Sequence, residues 1–158
     1  MKGKLCKAAV ILMTLAWMGL IFCFSAQNGA QSGGLSAIIA EPVTEFLISV
    51  REETTAAEKA ALYLQVDGGI RKAAHFLVYM VLGACLTVLL KHFGVMQWLP
   101  PWIIGVLYAI SDEWHQSFSP QRSSEATDVL IDAAGVLCGI LLIRWIGKIR
   151  RKNHAENC

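Results

Sequence analysis

AAHFLVYMVLGACLTVLL, residues 73–90, decides how this chain is read. It holds eighteen residues without an Asp, Glu, Lys or Arg, and His75 stands near its start. Apolar residues fill every face and no period-2 alternation runs through it, so a half-buried strand is excluded. In lipid only helices or closed barrels satisfy the backbone, and a helix needs ~20 residues to cross the ~30 Å apolar layer. The stretch therefore predicts a membrane-crossing helix.

Three further stretches of the same kind flank it, at about 5–24, 98–117 and 127–146. The 158-residue chain is 55% hydrophobic and only 16% charged, with a mean hydropathy of +0.50. Soluble domains run nearer one-quarter charged. The expectation is an all-α integral membrane four-helix bundle, one domain over 1–158, with a basic tail at 147–158. A net charge of +2, without a basic helix carrying interleaved aromatics, excludes nucleic acid as a partner. Lys2, Lys4 and Lys7 precede the first stretch as in a signal peptide. Its apolar run is long for one, and Phe22 and Phe24 occupy positions where cleavage needs small residues, so it reads as a retained span.

Between the first two spans, Leu35, Ile38, Ile39, Val43, Phe46, Leu47 and Val50 form a helical stripe interrupted by Pro42, suited to the membrane interface. Residues 54–66 form a second helix, capped by Thr54 or Thr55 with Glu58 in its first turn. Gly68 and Gly69 are expected to break it before the second span begins. Pro100 and Pro101 fit the first turn of the third span. In the fourth, Gly135 and Gly139 form a GxxxG spacing, with Ala133 nearby, that lets another helix approach, including one from a second copy of the chain. The cysteines Cys6, Cys23, Cys85, Cys138 and Cys158 make no CxxC pair and read as apolar buried thiols.

Four spans put both termini on one side. That side holds Lys2, Lys4, Lys7, Lys91, Arg144, Lys148, Arg150, Arg151 and Lys152; the other holds Arg51, Lys59, Arg71, Lys72 and Arg122 in longer loops. The bias places the termini in the cytoplasm and the 26–72 and 115–126 loops outside.

This threading collects titratable residues at the outer helix ends. Lys72, His75 and Tyr79 share a face at i, i+3 and i+7. Asp112 and Gln116, and Asp128 and Asp132, are i, i+4 pairs. Glu113 lies beside Asp112, Arg122 on the connecting loop, and Ser25 and Gln27 at the exit of the first span. A charge at mid-membrane costs ~2.5–3.5 kcal/mol. The acids are therefore expected to point inward, against Lys72, Arg122 and His75. Taken singly, His115 and Glu125 read as solvated loop groups, and the set could serve only to fix helix register. Gathered intramembrane ionisable groups more often mark a site.

RKAAHFLVYMVLGA (71–84), YAISDEWHQSFSPQRSSEATDVLIDAAGVLCG (108–139) and FSAQ (24–27) resemble the VanZ-like family of small bacterial membrane proteins. The resemblance spans nearly the whole chain, through DE-x-x-Q, P-x-R and D-x-x-x-D-x-x-G elements in order. On its pattern the matching polar positions are Lys72, His75, Asp112, Glu113, Gln116, Arg122, Asp128 and Asp132. Gln121 departs from it, standing where the family has a glycine that would tighten the turn placing Arg122. The family is named for low-level teicoplanin resistance. The resemblance implies a role at the envelope of a bacterial cell, in its plasma membrane, and specifies no reaction.

Three functions follow as expectations. The first is binding or envelope protection, with a lipid headgroup, a lipid-linked cell-wall precursor or the glycopeptide in the pocket and Arg122 and Lys72 on its phosphate or carboxylate. The second is an outer-leaflet enzyme on a lipid-linked substrate, with His75, Asp112, Glu113, Asp128 and Asp132 as candidate catalytic groups. No cofactor is required; the same five residues suit a divalent cation of the Mg or Mn kind over Zn. DEWHQ lacks the first histidine of HExxH, and no GxSG elbow is present. The third is a transporter, ranked last because its polar groups would gather at mid-membrane.

Overall fold

The computed structural model describes residues 2–26, 29–50, 54–118 and 126–156, and all regular structure among them is helical. Five helices follow in order: α1 (Lys2–Ser25), α2 (Gly29–Ser49), α3 (Ala56–His92), α4 (Leu99–Gln116) and α5 (Ala126–Glu156). Three have stretches long and apolar enough to cross a membrane: Leu5–Ser25, Ala56–His92 and Ala126–His154. The chain is thus read as a membrane protein. The 18-residue α4 is not in that group; its last turns carry Asp112, Glu113, His115 and Gln116.

Helix α3 is the spine. The sequence gives it a sharp start, since Thr55 Oγ1 accepts from the Glu58 amide (3.3 Å) and the Glu58 carboxylate accepts from the Thr55 amide (2.8 Å). This reciprocal pair satisfies two donors that a helix N-terminus leaves open. The expected break at Gly68 and Gly69 does not occur: α3 runs unbroken for 37 residues. Two glycines cost a helix ~1 kcal/mol each. Side-chain ties next to them oppose that cost. Arg71 donates to Asp67 at 2.6 Å across one turn, and Ser36 of α2 donates to the other oxygen of Asp67. At ~1.5 Å per residue α3 is about 55 Å long, so its first turns project beyond an apolar layer of ~30 Å.

Pro42 likewise lies inside α2 without ending it. This helix turns Ser36, Ala40 and Thr44, an i, i+4, i+8 row, toward the protein interior. Ile38, Phe46 and Val50 remain on the outside. From Ile38 to Val50 the apolar stripe read from the sequence therefore faces away from the protein, as it would toward lipid. Helix α1 does the same, with Thr14, Ile21 and Ser25 buried and Leu12, Leu15 and Phe22 outside.

The core is formed by Ile21 of α1, Tyr79, Leu82 and Leu86 of α3, Ala109 of α4, and Val136 and Ile140 of α5. Helices α3 and α5 meet backbone to backbone through small residues. A Cβ on Gly135 would overlap the Phe76 carbonyl, one on Gly139 the Met80 carbonyl, and one on Gly83 the Val136 carbonyl. The Gly135/Gly139 spacing thus engages α3 of the same chain. Helix α4 crosses on Gly105, where Val136 occupies the space of a side chain. Indole and phenol groups of α1 and α4 reach across to spare carbonyl lone pairs. Trp17 donates to Val78 (3.0 Å), Tyr108 to Met18 (2.7 Å) and Trp102 to Ala133 (3.2 Å). Pro100 and Pro101 occupy the first turn of α4 as expected. The turn before it needs Gly94, whose φ is +84°, a conformation side chains disfavour. Of the cysteines expected to be buried, Cys85 is, whereas Cys6, Cys23 and Cys138 lie on the outside; Cys158 lies outside the described residues.

Candidate functional site

Polar groups collect at the end of the molecule where α1 finishes, α4 finishes and α5 begins. At its centre is Asp112, only 3% exposed. Its Oδ2 accepts from Ser25 Oγ of α1 (2.7 Å), Tyr79 OH of α3 (3.0 Å) and Gln116 Nε2 of its own helix (3.1 Å). Gln116 also donates to Ser25 Oγ at 3.2 Å. Three helices separated widely in sequence are thereby tied to one oxygen. Asp112 Oδ1 has no hydrogen-bond partner among the described residues. Glu113 is buried beside it.

A second group joins α3 to α5. His75 Nδ1 lies 3.5 Å from Asp132 Oδ1, and Lys72 Nζ lies 3.9 Å from Asp128 Oδ1. Asp132 is 1% exposed and sits within electrostatic reach of both Asp112 and Asp128. Lys72 is about half open to the outside. At that exposure and distance its pair with Asp128 is worth ~0–1 kcal/mol. Tyr79 lies near both groups: it donates to Asp112 and stands within electrostatic reach of Asp132.

Of the eight polar positions expected from the sequence, seven come together here: Lys72, His75, Asp112, Glu113, Gln116, Asp128 and Asp132. Arg122 lies outside the described residues, as do Gln27, Gln121 and Glu125. Ser25 and Tyr79 were left out of that set and are central to it. Ser25 belongs to FSAQ, and Tyr79 follows His75 on the same helical stripe, so both had a signal. Reading His115 as a solvated loop group is corrected. It belongs to the last turn of α4, its ring centroid 4.4 Å from that of Phe22. Among the described residues no three of His, Cys, Asp or Glu come together as ligands for a metal ion. The five-residue cation set is therefore not assembled among them.

An all-helical chain with three bilayer-length apolar helices and buried acids gathered at one end belongs with the membrane proteins. A model of the VanZ/LLP1 family matches residues 10–147, and the chain belongs to that family. No curated protein and no solved structure matches it.

Proposed function

We propose that this chain is a four-pass protein of the bacterial plasma membrane that protects the cell envelope by binding an envelope component, through the polar site, on the outer face. Helix α4 completes the bundle as a fourth crossing. Its 18 residues cover about 27 Å at ~1.5 Å per residue, and its acids are turned inward instead of toward lipid. The lysine and arginine bias puts both termini in the cytoplasm and the Asp112 end outside.

The observation that carries the reading is the pairing of bases on α3 with acids on α5 at one helix end, beside the buried Asp112 network. Exposed Lys72 and the Arg122 loop supply positive charge for a phosphate or carboxylate, and Asp128 and Asp132 hold the bases in place. Tolerance to glycopeptides of the teicoplanin kind is the expected phenotype. The test is the growth-inhibiting teicoplanin concentration in a susceptible host. The wild-type chain raises it, and Arg122→Ala, Asp128→Asn and Glu113→Gln at equal expression lose the protection. Full protection by all three refutes the reading.

A further inference from the structure

A groove of about 240 Å³ opens beside the Asp112 network, between the ends of α1 and α4. We infer that it seats the headgroup of a membrane phospholipid bearing a primary amine, as in phosphatidylethanolamine. The inference rests on the envelope-binding reading above and names a ligand class for its site.

Five rings line the groove: Phe22 from α1, Tyr108, Trp114 and His115 from α4, and Phe118 just beyond it. Phe22 faces His115, and Trp114 meets Phe118 edge-on with centroids 5.5 Å apart. Trp114 and Phe118 are 68% and 71% exposed. Ring faces carry negative potential, so rings around a small space attract an organic cation. Trp also favours the headgroup level of a bilayer.

Asp112 is part of the same wall. It supplies what separates an amine from an apolar guest. Its Oδ2 is saturated by three donors, while its buried Oδ1 has no partner among the described residues. A buried acceptor left so is destabilising. A primary ammonium offers N–H donors to meet it. The buried Nδ1 of His115 is also unpartnered and provides a contact for the adjoining phosphate.

Size and position choose the source of the amine. Pockets for drug-sized molecules run ~300–1,000 Å³, so this groove takes a headgroup and not a glycopeptide. It lies on the outward side of α4, where Leu107 and Ile110, both exposed, continue along the helix as a track for acyl chains. A lipid in the surrounding leaflet reaches it by lateral diffusion.

The test reconstitutes the full chain in vesicles of equal phosphatidylethanolamine, phosphatidylcholine and phosphatidylglycerol, extracts it, and measures the retained lipids by native mass spectrometry. A cation–ring contact with a hydrogen-bonded ammonium predicts roughly tenfold enrichment of phosphatidylethanolamine over the other two. Trp114→Ala, at an exposed position that leaves the fold intact, reduces the enrichment toward onefold. Asp112→Asn does so as well when circular dichroism shows it folded; if it does not fold, Trp114→Ala decides. Equal retention of phosphatidylcholine overturns the inference, since its quaternary ammonium has no N–H. Preference for phosphatidylglycerol, or enrichment unchanged in Trp114→Ala, also overturns it. The protection assay separates the two claims. Lost enrichment selectivity with protection still dependent on Asp128 and Arg122 defeats only the lipid assignment. Selective retention with no protection at all defeats only the envelope phenotype.

Discussion

The two polar groups at the α4 end are built differently. Around Asp112 the bonds are 2.7–3.1 Å and every donor is buried. Between α3 and α5 the contacts are 3.5 and 3.9 Å, and Lys72 stands about half exposed. The first resembles a tie that fixes where helices end. The second is a looser ion pairing whose Lys72 end reaches the outside. A membrane site needs ties of the first kind, because lipid offers no water to satisfy polar groups that miss their partners, and it needs groups still open to a ligand, as Asp112 Oδ1 is among the described residues.

Removing the tie should have the largest effect. Asp112→Ala leaves Ser25, Tyr79 and Gln116 donors without their shared acceptor. A loss of about 1–3 kcal/mol for each buried donor left unsatisfied is expected, read as a fall in unfolding temperature in detergent. An effect below about 1 kcal/mol would erase the contrast between the two groups. Next comes the helix contact beneath both. Gly139→Val pushes a side chain into the Met80 carbonyl and should cost about 1–3 kcal/mol by the same measurement. Tyr79→Phe removes one of three donors and should cost about 0.5–1.5 kcal/mol. Lys72→Met is the smallest for stability, within about 1 kcal/mol, yet it should abolish the protection that Tyr79→Phe retains in part. If Lys72→Met is harmless in the resistance assay, the looser group is not where binding occurs.

The sequence made the apolar helices legible because lipid imposes one length and one composition. It also showed which polar residues share a helical face, since i, i+3 and i+4 spacings are local. Continuity of α3 was not legible: Gly68 and Gly69 signal a break, and what opposes it is Asp67, tied to Arg71 one turn on and to Ser36 on another helix. The inward face of α2 was hidden for a similar reason. Its apolar stripe was read as suited to the membrane interface, but that Ser36, Ala40 and Thr44 are the residues that pack was not legible, as in a protein whose exterior is lipid. Ser25 and Tyr79 were gathered at the polar helix ends, but the bond from Ser25 to Asp112, 87 residues away, is one no local spacing announces.

That long-range bond offers the most direct test. A double-mutant cycle with Ser25→Ala and Asp112→Asn, each variant unfolded in bicelles, isolates the coupling between α1 and α4. A buried charge-assisted hydrogen bond predicts a coupling of about 1–3 kcal/mol. Losses that add to within about 0.5 kcal/mol would mean that the two helix ends do not share a site, and the account would fail at its foundation.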